Sequence, residues 1–233
     1  MRVDRAQAAS AAGRWAVTRW RGEASDAHGE AWPPDPVPSV RVVEVTGRAV
    51  VLGSTQAADT VDSGVARASG LEVVRRRSGG GAVLVAPGEL LWVDAFVPTG
   101  DRYWSPDVGR AAHWLGAVWA GALATSGVEA SWHDGGLVTA PWSRLVCFAG
   151  LGPGEVCVSG AKVVGLSQRR TREGALFSSA ALLRWDPSAL LAVLALDQAE
   201  RDRGARELAG AARAVTVSGP ELEAAVLEQL AAI

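Results

Sequence analysis

The sequence has almost no lysine. Of its 23 basic residues 22 are arginine, and the single lysine is Lys162. Solvated basic positions accept either cation, so a bias of this size reflects codon usage. A lysine that survives it is a candidate for selected chemistry, because a compact ammonium and a planar guanidinium are not interchangeable at a chemical site. Cysteine is nearly absent as well. Cys147 and Cys157 are the only two among 233 residues, which excludes a disulfide scaffold or a cysteine zinc cluster. His28, His113 and His133 show no metal-ligand spacing, so no metal held by protein ligands alone is expected. Long apolar runs are missing too. Residues 1–20 alternate Arg with Ala and Trp, and neither a signal peptide nor a membrane span is expected, which leaves the cytoplasm as the expected compartment. The formal net charge is -2, so no global field draws nucleic acid or anionic membrane, and neither is expected as a partner.

What is present is a core. Hydrophobic residues make up 48% of the chain, ten of them tryptophan, enough for one large domain built around big rings. Residues 1–40, rich in Ala, Arg and Pro, read as an N-terminal extension packed on or leading into residues 41–233. Prolines 33, 34, 36 and 38 end any helix begun near Ala6. Short apolar runs predict strands over Val42–Val45, Ala49–Leu52, Leu71–Val74, Glu89–Val97, Leu145–Phe148, Glu155–Val158, Lys162–Ser167 and Leu176–Arg184. Helical spacing predicts helices over Ala58–Ala68, Pro106–Ser126, Ser188–Leu196 and Pro220–Ile233. Strands outnumber helices and the joins are short. The expected fold is α/β (α+β), with a mixed, largely antiparallel sheet and helices packed on it.

Two segments carry chemistry. In the first, Arg75-Arg76-Arg77-Ser78-Gly79-Gly80-Gly81-Ala82-Val83 follows an apolar strand. Glycines let backbone N–H groups turn toward an anion at close range, and guanidinium groups add fixed charge and paired donors. A flexible hairpin is the plain alternative, but three neighbouring cations beside a loose turn repel one another without a counter-charge. The spacing is neither a Walker loop nor a dinucleotide fingerprint. The second segment is Cys147-Phe148, then Glu155, then Gly160-Ala161-Lys162-Val163-Val164-Gly165 with Ser167-Gln168-Arg169-Arg170. Its lysine sits in an apolar strand context, where an ammonium can bind carboxylate or phosphate oxygens. Elsewhere His133-Asp134 has no nucleophile near it in sequence, and the run Arg169, Arg170, Arg172 is either a solvated face or a docking site for an acidic domain.

Together the segments resemble the lipoate-protein ligase family of the biotin/lipoate ligase superfamily. Arg75–Val83 is similar to its loop R-R-x-S-G-G-G-A-V, and Lys162 lies in a counterpart of its G-x-K-[IV]-[VA]-G core. The resemblance covers roughly residues 40–190 and implies a class II synthetase/biotin-ligase-like catalytic domain, here without a separate C-terminal accessory domain. It further implies that lipoate or octanoate reacts with ATP, accompanied by Mg²⁺ held mostly by phosphate and water. The acyl-adenylate then passes to a lysine of a lipoyl domain of 2-oxoacid dehydrogenase subunits or of the glycine cleavage H protein. The implied cofactor-binding residues are Arg75, Arg76, Ser78, Gly79, Gly80, Gly81, Ala82, Val83, Leu84 and Lys162, with Lys162 also catalytic. Val74, Leu84, Leu91, Trp92 and Val163 are candidates to line the acyl slot. Where the ligase loop continues with an aromatic residue, His-Asp and Gly-Asn, this chain has Leu84-Val85-Ala86 and Gly88-Glu89. One octanoyltransferase branch places a Cys-Phe pair eight residues before a Glu and fifteen before the lysine, as Cys147, Glu155 and Lys162 stand here. That resemblance implies an alternative in which Cys147 takes the acyl group from an acyl carrier protein as a thioester without ATP. A non-catalytic acyl-binding homologue is the third reading.

Overall fold

The computed structural model describes residues 10–233, so the helix considered near Ala6 lies outside the described residues. Eight strands form one sheet in the order β1 (Ser10–Ala12), β2 (Trp15–Gly22), β3 (Ser39–Val45), β7 (Leu90–Pro98), β11 (Gly174–Leu182), β10 (Ala161–Arg170), β9 (Val156–Val158) and β8 (Ser131–Trp132). Every pairing in it is antiparallel except β2 with β3. A smaller sheet has the order β5 (Glu72–Arg75), β4 (Ala49–Leu52), β6 (Val83–Val85). The mixed, largely antiparallel architecture expected from the sequence is the one the chain adopts.

The alternation along β7 shows how the layers stack. Leu91, Val93, Ala95 and Val97 enter the main core with helices α3 (His113–Thr125) and α6 (Gly219–Ala231). On the opposite face Trp92 packs with Val51, Val74 and Val85 of the small sheet and with Ala24 and Ala27 of α1 (Ala24–Gly29). Because successive strand side chains point to opposite faces, a strand covered on both sides reads as a continuous apolar run. The far face of the small sheet, through Val50 and Leu52, packs with Leu190 and Leu191 of α4 (Pro187–Leu191) and Leu208 of α5 (Gln198–Leu208). The remaining helix, α2 (Ser63–Ala68), is capped by the Asp62 carboxylate, which accepts from the N–H groups of Gly64 and Val65. Several tryptophans do form a core of rings. Trp15 stacks on Trp114 at 5.3 Å, and Tyr103 lies 5.2 Å from Trp114.

Four sequence expectations need correction. Residues 106–112 are turns, and α3 starts only at His113; the Asp107 carboxylate accepts from the Gly109 N–H, a local turn that competes with helix. Ala58–Ala68 is not one helix, because Val61 makes an isolated bridge to Leu194 between a single 3-10 turn (Ala58–Thr60) and α2. The helix expected over Ser188–Leu196 stops at Leu191, where the next residues turn to meet residues 60–62. The strand expected over Leu145–Phe148 is a turn followed by a 3-10 helix at Cys147–Ala149; its Cys147 carbonyl accepts from a side chain rather than from a neighbouring strand. That side chain belongs to Lys162.

Candidate active site

The site begins with the glycine loop between β5 and β6. The Arg76 guanidinium is buried and points inward. Its N–H groups donate to the carbonyls of Gly79 (2.7 Å), Gly81 (2.8 Å) and Val51 (3.3 Å), so it holds the loop from within. Arg75 reaches across and donates to the Gly53 carbonyl at 3.0 Å and to that of Gln56, tying residues 53–56 to the same strand. The Ser78 hydroxyl meets the Ser167 hydroxyl of β10 at 3.0 Å. Gly80 has φ +97°, a backbone conformation that side-chain-bearing residues avoid.

A second joint brings the two motifs together. Ala82 and Val146 form an isolated parallel bridge, in which the Ala82 N–H donates to Leu145 O and the Cys147 N–H to Ala82 O. The backbone of Gly81 therefore lies directly against Val146 and Cys147, and a Cβ there would come within 2.6 Å of Val146. The Ala82 amide is thus committed to this bridge. Val83 and Leu84 pair with Val51 and Val50 of β4.

Lys162 is 3% exposed and projects from β10. Its backbone is fixed on one side by β9, whose register shifts between Lys162 and Val164, an irregularity of the kind that re-aims a side chain. On the other side residues 211–213 hydrogen-bond to it. Its ammonium donates to Cys147 O at 2.9 Å and Gly150 O at 3.1 Å and pairs with the Glu155 carboxylate at 2.7 Å. These three acceptors match its three N–H groups, and all come from the single segment 147–155. Glu155 is equally buried and also accepts from the N–H groups of Gly152 (2.6 Å) and Leu166 (3.0 Å). The Phe148 ring lies 5.0 Å from the ammonium, within cation–π range.

These groups line connected spaces. Gly79, Gly80, Gly81, Cys147, Glu155 and Lys162 border one cavity of about 280 Å³. Cys147, Leu166 and Ser167 also border a narrow apolar slot of about 70 Å³ that runs between Val83, Val85, Leu90, Trp92 and Phe148. Gly165 keeps the slot open near the lysine, since a Cβ there would lie 3.2 Å from Phe148. Beyond the slot is a polar cavity of about 310 Å³ under α1, with Arg41, Arg77, Asp94 and Arg169 on its walls. Leu84 belongs to another hollow, with Glu89 and Arg184, which pair at 3.0 Å.

Of the residues singled out in the sequence, Gly79–Gly81, Ser78, Arg76, Cys147 and Lys162 converge here. Of the five slot candidates only Trp92 lines the slot. Val74, Leu91 and Val163 are core, Leu91 and Val163 on the opposite face of the large sheet. His133 sits in a loop and contacts the Gly136 carbonyl at 2.7 Å. Burial pushes the Cys157 thiol up, and Glu155 adds to the shift, which keeps it from acting as a thiolate. Cys147 lies with its sulfur 4.0 Å from an Arg76 nitrogen.

Sequence reasoning missed a buried polar group beside the slot. Arg41 pairs with Asp94 at 2.7 Å, and Asp94 also accepts from the Trp92 indole N–H at 2.7 Å. The His28 ring lies tilted against Trp92, with centroids 4.7 Å apart. Burial, with Arg76 and Arg41 nearby, lowers its pKa to about 4 against the pull of Asp94. Among the described residues no group of three or more His, Cys, Asp or Glu could hold a metal, and no helix is long and apolar enough to cross a membrane.

Comparison with solved structures finds the same fold in proteins of low sequence identity. A structure described as a bi-partite lipoate protein ligase and its E2 lipoyl domain from Thermoplasma acidophilum superimposes with a TM-score of 0.71 at 20% identity, covering 93% of this chain and 81% of that one. A lipoate-protein ligase A bound with ATP gives 0.65 at 22% identity, covering 92% and 82%. A T. acidophilum structure with bound lipoic acid gives the same values. No curated protein matches the sequence. The family model described as the lipoyl protein ligase A/B catalytic domain matches residues 16–224. With nearly the whole chain inside that match, and the glycine loop and buried lysine meeting at one cavity, this chain belongs to the lipoyl protein ligase A/B catalytic domain family.

Proposed function

We propose that the protein is a lipoate-protein ligase. In this reading the carboxylate of lipoate or octanoate attacks the α-phosphate of ATP, giving the acyl-adenylate and pyrophosphate. The amine of a carrier lysine then attacks the acyl carbon, an amide forms, AMP leaves and a proton is released. The observation that carries it is the cavity in which Lys162 faces Gly79–Gly81 and which opens through Cys147, Leu166 and Ser167 into an apolar slot. A carboxylate at that junction would have its tail in the slot and its oxygens near the ammonium. Since all three ammonium donors are already used, binding exchanges one acceptor. Gly150 O, the longest contact at 3.1 Å, is the one given up, and Glu155 keeps the lysine aimed. Gly79, Gly80 and the edge of Ser78 would face the nucleotide phosphates, with Arg75 and Arg76 as the frame that shapes the loop. Mg²⁺ would be carried by phosphate oxygens and water. The acceptor is a lipoyl domain of 2-oxoacid dehydrogenase subunits or the glycine cleavage H protein.

A second reading is favoured by one observation. Cys147 borders both the slot and the lysine cavity, the place from which a thiolate could attack an acyl thioester delivered by an acyl carrier protein. One pair of incubations decides. With ATP and either lipoate or octanoate, mass spectrometry detects the adenylate and pyrophosphate is released, and Lys162→Met abolishes both. With octanoyl carrier protein and no ATP, an acyl-enzyme adduct lost in Cys147→Ala would replace the ligase reading by the transferase one.

A further inference from the structure

The slot next to Lys162 is the narrower of two adjoining spaces, about 70 Å³ against about 310 Å³ in the cavity beyond it. His28, Arg76, Ser167 and Ser178 border both the slot and the 310 Å³ cavity. Arg76 is pinned by three carbonyls, and the serines are short. His28 is different: its ring has no hydrogen-bond partner among the described residues, and it leans on Trp92 at 4.7 Å. It is carried by α1, a helix of six residues.

Resting on the acyl-binding reading above, we propose that His28 is the specificity-determining residue for tail length. Its ring is the gate that a long tail must displace to pass from the slot into the 310 Å³ cavity, because His28 borders both. Trp92 is the fixed jamb. Its indole N–H is held by Asp94 at 2.7 Å and Asp94 by Arg41 at 2.7 Å, so Trp92 does not swing. The gate is uncharged near neutral pH, because burial lowers the His28 pKa to about 4; a neutral ring can lie along an alkyl chain without the cost of a buried charge.

The test is direct binding of straight-chain acids from butanoate to dodecanoate, and of lipoate, by calorimetry without nucleotide. The unaltered protein, His28→Ala and His28→Trp are compared, each checked for a cooperative thermal transition. Discrimination in apolar pockets runs at about tenfold or more per methylene. His28→Ala should therefore gain at least tenfold for decanoate and dodecanoate, and His28→Trp should lose at least tenfold for octanoate and lipoate. Butanoate should bind all three alike. Length profiles that stay parallel in the three proteins would overturn the gate while leaving acid binding intact. Absence of binding by every acid to the unaltered protein would remove the acyl-binding reading itself.

Discussion

At the scale of single residues the site depends on why one lysine persists in a chain that otherwise uses arginine. The three acceptors around its nitrogen, Cys147 O, Gly150 O and the Glu155 carboxylate, converge on one point. An ammonium satisfies them from one atom, whereas a guanidinium spreads its five donors over a plane and cannot. Lys162→Arg should therefore lose activity by at least a hundredfold and lower the melting temperature, despite keeping the charge. Activity assays and thermal unfolding check this. Glu155 follows the same logic. Removing one partner of a buried pair leaves the other charge uncompensated and costs about 3–5 kcal/mol. Glu155→Gln should be destabilised by about that much in urea unfolding, and the double variant Glu155→Gln/Lys162→Met should recover part of the loss. Equal destabilisation of the double variant and the sum of the singles would mean that the pair is not coupled.

At the scale of elements the structure separates glycines that must be glycine from those that need not be. A Cβ on Gly81 would meet the backbone of Val146 and Cys147 at 2.6–2.8 Å, whereas one on Gly79 meets nothing within 4 Å. Overpacking against backbone typically costs about 1–3 kcal/mol. Gly81→Ala should be destabilised by that order, lose the bridge between loop and Cys147, and lose activity with it. Gly79→Ala should unfold within about 0.5 kcal/mol of the unaltered protein. The triplet was legible in the sequence, but the steric constraint on Gly81 depends on residue 146, sixty-odd positions away, and that on Gly80 on a positive φ. Other elements show the same division. The strand β4 stands where its four apolar residues put it. Helix α5 escaped the sequence reading because QAERDRGAREL is mostly polar and carries no clear apolar stripe; its signal was the capping box, Asp197 with Glu200, which the structure contains. The curl at Cys147–Ala149 was illegible, since Val146, Cys147 and Phe148 have strand-forming side chains and the Cys147 carbonyl is met by the distant Lys162. His28 and Asp94 were missed for a similar reason: their chemistry arises where α1, β3 and β7 meet.

At the scale of the whole molecule the layers are joined by a polar group buried in an otherwise apolar stack. Arg41 and Asp94 sit opposite each other in register on β3 and β7, with Trp92 and His28 continuing the contact toward α1. This arrangement predicts how stability changes with acidity. His28 has its pKa lowered from 6.5 to about 4, by burial first, with Arg76 and Arg41 acting in the same direction and Asp94 opposing. Between these values the unfolded chain takes up a proton that the folded chain refuses. Stability therefore rises with pH through that window and falls as pH drops from about 6.5 toward about 4. The size follows from about 1.4 kcal/mol per pKa unit, giving a loss of about 3 kcal/mol at most, since the ring is only partly enclosed. The measurement is urea unfolding at intervals from pH 7.5 to pH 4.5 for the unaltered protein and for His28→Asn, which has no imidazole to titrate. Carboxylates and the other histidines act equally in both proteins, so the difference between the two curves isolates His28. That difference should be flat above pH 7 and should close or reverse toward pH 4.5 as the unaltered protein loses its advantage. Parallel curves over the whole range would show that His28 titrates alike folded and unfolded, and that α1 does not hold its ring against Trp92 in solution.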